Sequence, residues 1–280
     1  MKAKVTVVTG AASGIGRALA LELARRGARL AISDVATDGL DDTAARLRER
    51  GADVHAAPLD VRDRDAVHRY ARAVADHFGV VHQLYNNAGI AGAVSPFVDV
   101  DLAAFERVLA VNLWGVIHGS QAFLPHLIAS GDGHLINISS LNGYLAQPGM
   151  AAYCTSKFAV RGFTESVRAD MALAGHPVQV TVVHPGGVAT NIATAAAAVA
   201  AREQPALAAE GARRAAIYNQ KLLTLPAERA AQIIVDGVEA GRPRVLVGRD
   251  AKTLDATVRL LPTAYTKLAV WLERRLSRDA

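Results

Sequence analysis

Tyr153 and Lys157 stand four residues apart in the run Tyr153-Cys154-Thr155-Ser156-Lys157. Inside a helix that spacing puts both side chains on one face. An ammonium held beside a phenol favours the phenolate and lowers the phenol pKa from its ordinary value of about 10. A tyrosine tuned in that way can act as a base near neutrality. The pair alone decides nothing, because a Tyr and a Lys meet at this spacing in many helices by accident. Its company carries the reading. Ser139-Ser140 close an apolar run ahead of the helix, a glycine-rich turn opens the chain, and Asp34 follows that turn at a distance suited to a dinucleotide ribose.

The turn is Thr9 to Gly16, T-G-A-A-S-G-I-G, between the apolar run Val5 to Val8 and an amphipathic run from Ala18 to Gly27. Strand, glycine turn and helix in that order aim unpaired N–H groups and the positive end of a helix dipole at a phosphate. Gly10, Gly14 and Gly16 follow a G-x3-G-x-G spacing, not the G-x-G-x-x-G of the Rossmann fingerprint. Glycine lets the backbone turn tightly and approach a ligand with no Cβ in the way. Asp34 lies 18 residues beyond Gly16. A carboxylate there accepts hydrogen bonds from ribose hydroxyls and repels a 2′-phosphate. Asp60 and Val61 follow the third apolar run. They suit a grip on an adenine edge and face, and Asp60 equally suits the N-cap of the next helix. Asn86-Asn87-Ala88-Gly89 follows the fourth run, where small residues admit a cofactor close to the backbone.

The elements that must hold these residues are legible as alternation. Apolar, β-rich runs predict strands over 5–9, 30–33, 54–57, 83–85, 134–139, 178–184 and 245–248. Helical patterns fall over 17–27, 38–50, 64–78, 101–129, 152–174 and 226–240. Such alternation implies parallel strands with crossover helices on both faces, an α/β fold: one doubly wound Rossmann-type domain with a seven-stranded parallel sheet. Ligands of such sheets sit outside the carboxyl ends of the strands, which is where the candidate residues fall. The 280 residues show no internal repeat and no Pro-, Gly- or Ser-rich linker, so a single domain over 1–249 is expected, with 250–280 as an extension. A composition of 51% hydrophobic and 20% charged residues supplies a core and excludes global disorder. The net charge of +5 is spread without a basic block and reads as solubility, not as a nucleic-acid footprint. The single cysteine, Cys154, precludes an intrachain disulfide and reads as a small helix-core residue. The nine histidines form no H-x3-H or Cys/His cluster, so no metal is expected. No signal-peptide pattern opens the chain and no apolar run approaches the roughly 18 residues of a membrane span, so a cytoplasmic protein is expected.

Taken together, the residues resemble the short-chain dehydrogenase/reductase family across roughly 4 to 248. The T-G-x3-G-I-G loop is Thr9 to Gly16 and the N-N-A-G segment is Asn86 to Gly89. Asn112 lies in V-N-L-W-G, and Ser140 stands thirteen residues before Tyr153 of the Y-x3-K pair, the spacing that favours it over Ser139. Pro185, Gly186, Val188 and Thr190 match P-G-x-V-x-T. The resemblance implies Tyr153 as acid/base, Lys157 lowering the tyrosine pKa and holding the nicotinamide ribose, Ser140 on the substrate oxygen, and Asn112 holding a water in a proton relay. It implies a cofactor cradle of Gly10, Ser13, Gly14, Ile15, Gly16, Asp34, Asp60, Val61, Asn87, Ala88, Gly89, Tyr153, Lys157, Pro185, Gly186, Val188 and Thr190. Hydride then passes between a substrate carbon and the nicotinamide ring.

Relatives that use NADP(H) tend to carry Arg or Lys in the loop or just after strand two. Here the loop holds Ala11, Ala12 and Ser13, and strand two ends in Asp34-Val35, so NAD(H) is expected over NADP(H). The alternatives are an NADP-preferring carbonyl reductase and a dinucleotide-binding sensor without turnover. A sensor would predict damage to Ser140, Tyr153 or Lys157, and all three are present. Residues 191–225 match the family's variable substrate lid, rich in alanine, with Tyr218 as its one aromatic residue. With Leu141, Tyr144, Leu145 and Met150 they predict an apolar lining and a lipophilic secondary alcohol or ketone. In 250–280, Tyr265, Leu268, Leu272 and Leu276 recur at helical spacing among Lys267, Arg274, Arg275 and Arg278, an amphipathic basic helix. The simpler reading of that helix is packing against its own domain or a neighbouring subunit; the other is contact with a membrane surface. Family members are commonly dimers or tetramers, so a homodimer or homotetramer is implied.

Overall fold

Period-two patterning decides the strands. In β1 (Val5–Thr9), Val5 and Val7 join one buried cluster and Val8 joins another, so both faces of the strand are covered. The same holds along β2 (Arg29–Asp34), β4 (Gln83–Asn86), β5 (Gly133–Ile138) and β6 (Val178–Pro185), while the edge strand β3 (Val54–Pro58) is only partly buried. The computed structural model describes residues 1–203 and 208–278. Its main sheet has seven parallel strands in the order β3-β2-β1-β4-β5-β6-β9, with β9 at Arg244–Val247. The expected α/β, doubly wound architecture is the one observed. Two-residue strands β7 (Val188–Ala189) and β8 (Leu225–Pro226) pair with each other at the base of the lid.

Helices α1 (Gly14–Arg25), α2 (Thr37–Arg48) and α9 (Ala227–Glu239) cover one face of the sheet. Their Leu19, Leu23, Leu40, Leu47, Ile234 and Val235 are buried against Leu30 and Ile32. On the other face, α3 (Arg64–Phe78), α5 (Gly115–Ala129) and α6 (Ala151–Leu173) bury Val67, Val74, Phe123, Leu127 and Val167. At about 1.5–3 kcal/mol for each fully buried large apolar side chain, these two layers are the main force holding the strand ends in place.

The predicted helix over 101–129 is not uniform. It runs as α4 (Leu102–Leu109), a π-helical turn Ala110–Trp114 and then α5. Such turns cluster at functional sites, and Asn112 sits within this one. The lid is helical where a loop was expected: α7 (Ile192–Glu203) and α8 (Ala208–Ile217) follow β7. Its residues 204–207 lie outside the described residues. The extension is two helices, α10 (Arg249–Leu260) and α11 (Tyr265–Arg278). Among the described residues, no helix is long and apolar enough to cross a membrane.

Candidate active site

The chain runs from β1 outward to β2 and β3, then returns to place β4 on the other side of β1. That reversal opens a crevice beyond the carboxyl ends of β1 and β4. It brings the glycine loop against Asn86–Gly89, although more than seventy residues separate them. The Thr9 hydroxyl accepts the N–H groups of Asn87 and Ala88 at 3.1 Å each. The Asn87 amide donates back to the carbonyls of Thr9 at 2.9 Å and Gly10 at 3.2 Å. Asn87 therefore shapes the loop through its side chain as well as lining the crevice.

The loop is built for close backbone approach. Gly10 and Gly14 have φ of +69° and +53°, conformations that side chains disfavour. A Cβ on Gly16 would lie 2.0 Å from the Gly10 carbonyl oxygen, so no larger residue fits. Ser13, at the N-cap of α1, makes no side-chain capping hydrogen bond, and the first turn carries no acid. The exposed N–H groups of that turn are thus open to an anion, as a dinucleotide pyrophosphate requires.

From this loop one continuous cleft of about 1480 Å³ runs along the strand ends to Tyr153 and the lid. Ordinary ligand pockets hold roughly 300–1,000 Å³, so this space admits a dinucleotide and a second molecule together. Gly10, Ser13, Gly14, Ile15, Gly16, Asp34, Asp60, Val61, Asn87, Ala88 and Gly89 line it, as do Ser140, Tyr153, Lys157, Pro185, Gly186, Val188 and Thr190. Asn112 is the exception. It is fully buried behind Gly89, where a Cβ would lie 3.2 Å from the Asn112 carbonyl oxygen Oδ1 and 3.5 Å from Lys157 Nζ. Its amide donates to Ile90 O at 2.8 Å and Ser156 Oγ at 3.1 Å, and its oxygen accepts Ile90 N–H at 2.8 Å. Only acceptor capacity remains there for a water.

At the cofactor end, Asp34 accepts Ala12 N–H at 2.9 Å and Ala36 N–H at 3.0 Å. Its carboxylate thus stays fixed at the rim of the cleft. Arg17, the cation next to the glycine loop, does not reach toward it: the guanidinium pairs with Asp42 at 2.8 Å and donates to Thr43 and Gly39. Asp60 does not cap α3; Asp63 does, accepting Ala66 N–H at 2.9 Å. The Asp60 carboxyl is instead held by Arg62 at 2.6 Å, which keeps it below its ordinary pKa. Arg62 also lines the cleft and was not anticipated.

At the other end, α6 carries Tyr153 and Lys157 on its cleft-facing side. The Ser140 hydroxyl accepts Asn142 N–H at 3.1 Å and lines the cleft together with Tyr153. Ser139 lines the cleft too, but its hydroxyl is donated to Lys157 O at 2.8 Å. Lys157 Nζ donates to Ile138 O at 3.0 Å and lies 5.7 Å from the centre of the Tyr153 ring. The expected lowering of the phenol by that ammonium does not dominate. Burial pushes the Tyr153 phenol up, with the Ser140 hydroxyl opposing, and pushes Lys157 down to about 8. Both shifts have one cause, the low dielectric around the charged forms. As folded, the phenol is held protonated and the lysine below its ordinary range, both by burial. Cys154, next to Tyr153, is buried, its thiol pushed up by burial, which fits a core residue.

Of the expected apolar lining, Leu141, Leu145, Met150 and Tyr218 face the cleft. Tyr144 does not: it is buried, and its hydroxyl donates to Ala251 O at 2.6 Å. Sequence reading also missed Leu254, Thr257, Tyr265 and Ala269, which line the same cleft from the extension. Of these, Leu254 and Tyr265 stood out in sequence, as apolar positions at helical spacing. Of the amphipathic stripe that Tyr265 opens, Tyr265 lines the cleft and accepts Ala146 N–H at 3.5 Å. The side chains of Leu268, Leu272, Leu276, Arg275 and Arg278 lie outside the described residues.

The model of the short chain dehydrogenase family matches residues 4–200. The chain belongs to the short-chain dehydrogenase family. A Mycobacterium tuberculosis protein named as an oxidoreductase, SadH, is 50% identical over 269 residues, covering 95% of this chain and 93% of that one. The 1-deoxy-11-beta-hydroxypentalenate dehydrogenase of Streptomyces avermitilis is 40% identical over 192 residues, 68% of this chain and 70% of that protein. Among solved structures, a short chain dehydrogenase/reductase from Burkholderia phymatum in complex with NAD superposes with a TM-score of 0.83 at 32% identity, covering 94% of each chain. This short-chain dehydrogenase is therefore an oxidoreductase of CH–OH groups that works with a nicotinamide dinucleotide, and the cradle described above fits that cofactor.

Proposed function

We propose that the enzyme interconverts a lipophilic secondary alcohol and its ketone with NAD(H), using Tyr153 as the acid/base. The observation that carries this reading is that Ser140, Tyr153 and Lys157 line one end of a cleft whose other end is the glycine cradle. The bound nicotinamide supplies the hydride chemistry. Ser140 and Tyr153 together present two hydroxyls to one substrate oxygen. In reduction, Tyr153 gives its proton to that oxygen while Ser140 stabilises the charge that develops there. In oxidation, Tyr153 takes the proton back. Lys157 Nζ, fixed by Ile138 O, has two further N–H groups for a ribose hydroxyl and a water. Asn112 contributes an acceptor for that water.

Asp34 supports NAD(H). A fixed carboxylate at the ribose repels a 2′-phosphate, and the neighbouring Arg17 is already paired with Asp42. The lid supports a lipophilic substrate, since Ile192, Ala193, Ala196, Ala197 and Leu222 line the cleft.

Tyr153→Phe tests the assignment. Loss of general acid–base catalysis is expected to lower kcat by about a thousandfold on a panel of secondary alcohols. NADH affinity, read by its fluorescence, should stay within about twofold, because the phenol oxygen is not part of the glycine cradle. Retained turnover would sink Tyr153 as the base. Binding of NADH by the wild type with no turnover across the panel would favour a sensor.

A further inference from the structure

The extension beyond β9 is tied into the site at four points. The Asp250 carboxylate accepts Gly187 N–H at 2.6 Å, bracing the segment after Pro185. The Ala251 carbonyl accepts the Tyr144 hydroxyl at 2.6 Å. Asp255 pairs with Arg244 at 2.6 Å, and that guanidinium lies 5.3 Å from the centre of the Tyr144 ring. Tyr265 Oη accepts Ala146 N–H at 3.5 Å. Three of these ties reach the stretch that follows Ser140. From this frame Leu254, Thr257, Tyr265 and Ala269 line the cleft. The Thr257 hydroxyl is already donated to Thr253 O at 2.9 Å, so it offers its methyl.

We propose that α10 and the start of α11 form the distal wall of the substrate pocket, a subsite between extension and lid that takes the apolar body of a large secondary alcohol or ketone. This rests on the reading of the cleft as an alcohol site. The volume supports it, since about 1480 Å³ exceeds an ordinary single-ligand pocket. So does the chemistry of its distal part: Leu254, Thr257, Tyr265 and Ala269 offer apolar surface to bury, while the charged Arg249 and Asp250 line the cleft only at the first turn of α10, where Asp250 is held by Gly187 N–H. The specificity of this enzyme therefore lies partly in a segment outside the residues 4–200 that match the family model.

The test uses the intact enzyme with 2-butanol and 2-decanol as short and long probes. Deleting methylene contacts in a hydrophobic pocket changes discrimination by about tenfold or more. Leu254→Ala and Tyr265→Ala should lower the 2-decanol/2-butanol ratio of kcat/KM about tenfold, with NADH affinity unchanged. Leu254→Phe, which fills the pocket without opening a cavity, should lower the same ratio. An unchanged ratio in folded Leu254→Ala, Leu254→Phe and Tyr265→Ala enzymes overturns the wall. Calorimetry of 2-decanone binding to the enzyme–NADH complex carries the same prediction without turnover: weaker binding in all three variants supports the subsite, and equal binding refutes it. An enzyme that binds 2-decanone through these residues yet turns over no alcohol would refute the proposed reaction and leave the subsite standing.

Discussion

The two ends of the cleft are made by different means. The cofactor end is backbone: a glycine turn, the first N–H groups of α1 and the ends of neighbouring strands, all set by the sheet's parallel register. The substrate end is side chains from three separate segments, the stretch after Ser140, the lid and the extension. The first tolerates almost no change in size; the second can change residues and still enclose a space.

The largest effect should come from breaking the backbone end. Gly16→Ala places a methyl 2.0 Å from the Gly10 carbonyl, and NADH affinity should fall about a hundredfold, close to 3 kcal/mol. Wild-type binding in a titration would mean that the loop is softer than its geometry. Asp250→Ala probes the link between the two ends. Removing its charge-assisted bond to Gly187 N–H should raise the KM for NAD about tenfold and also shift the ratio between long and short alcohols. A change in only one of these would show that the ends are independent. Asp34→Ala sharpens the cofactor end alone: the NAD/NADP ratio of kcat/KM should drop about tenfold, with alcohol selectivity unmoved.

Whole-molecule stability changes least at neutral pH and visibly in acid. His134 and His184 are buried, and burial pushes each down to about 4 from 6.5. The unfolded chain therefore binds more protons between those values, so stability present above pH 6.5 is lost as pH falls toward 4. Each contributes on the order of 3 kcal/mol when fully lost. Melting temperatures should be flat from pH 8 to 7 and decline below 6.5. His134→Gln should shrink that decline, and an unchanged decline would place the acid sensitivity elsewhere. His184 also ties the two ends together, since its Nδ1 lies 2.7 Å from the Ser140 carbonyl oxygen.

The fold and the cofactor end were legible because both depend on short-range patterns. Alternating apolar runs fix buried strands, and a glycine in a βα turn means the same thing wherever it occurs. Asp34 falls at the right place because the length of α1 fixes the spacing from the loop to the end of β2. What failed to read out was the electrostatics of the Tyr153–Lys157 pair. Helical spacing places the two side chains together, but the sign of each shift is set by the protein packed around them, and burial outweighs their mutual influence. Tyr144 misled for a similar reason: an aromatic residue near the site in sequence proved to face Ala251.

By itself, then, the sequence determined the parallel sheet, and the residues it singled out beyond the strand ends, Asp34, Ser140, Tyr153 and Lys157 among them, line one cleft, because each rests on local spacing along one chain direction. Only the tertiary structure decided that Ser139 donates to Lys157 O, that Asn112 is enclosed by Ile90 and Ser156, and that Leu254 and Tyr265 line the same cleft. Those facts depend on contacts between segments up to 119 residues apart, such as Ala146 with Tyr265, and no local pattern encodes which distant surfaces will meet.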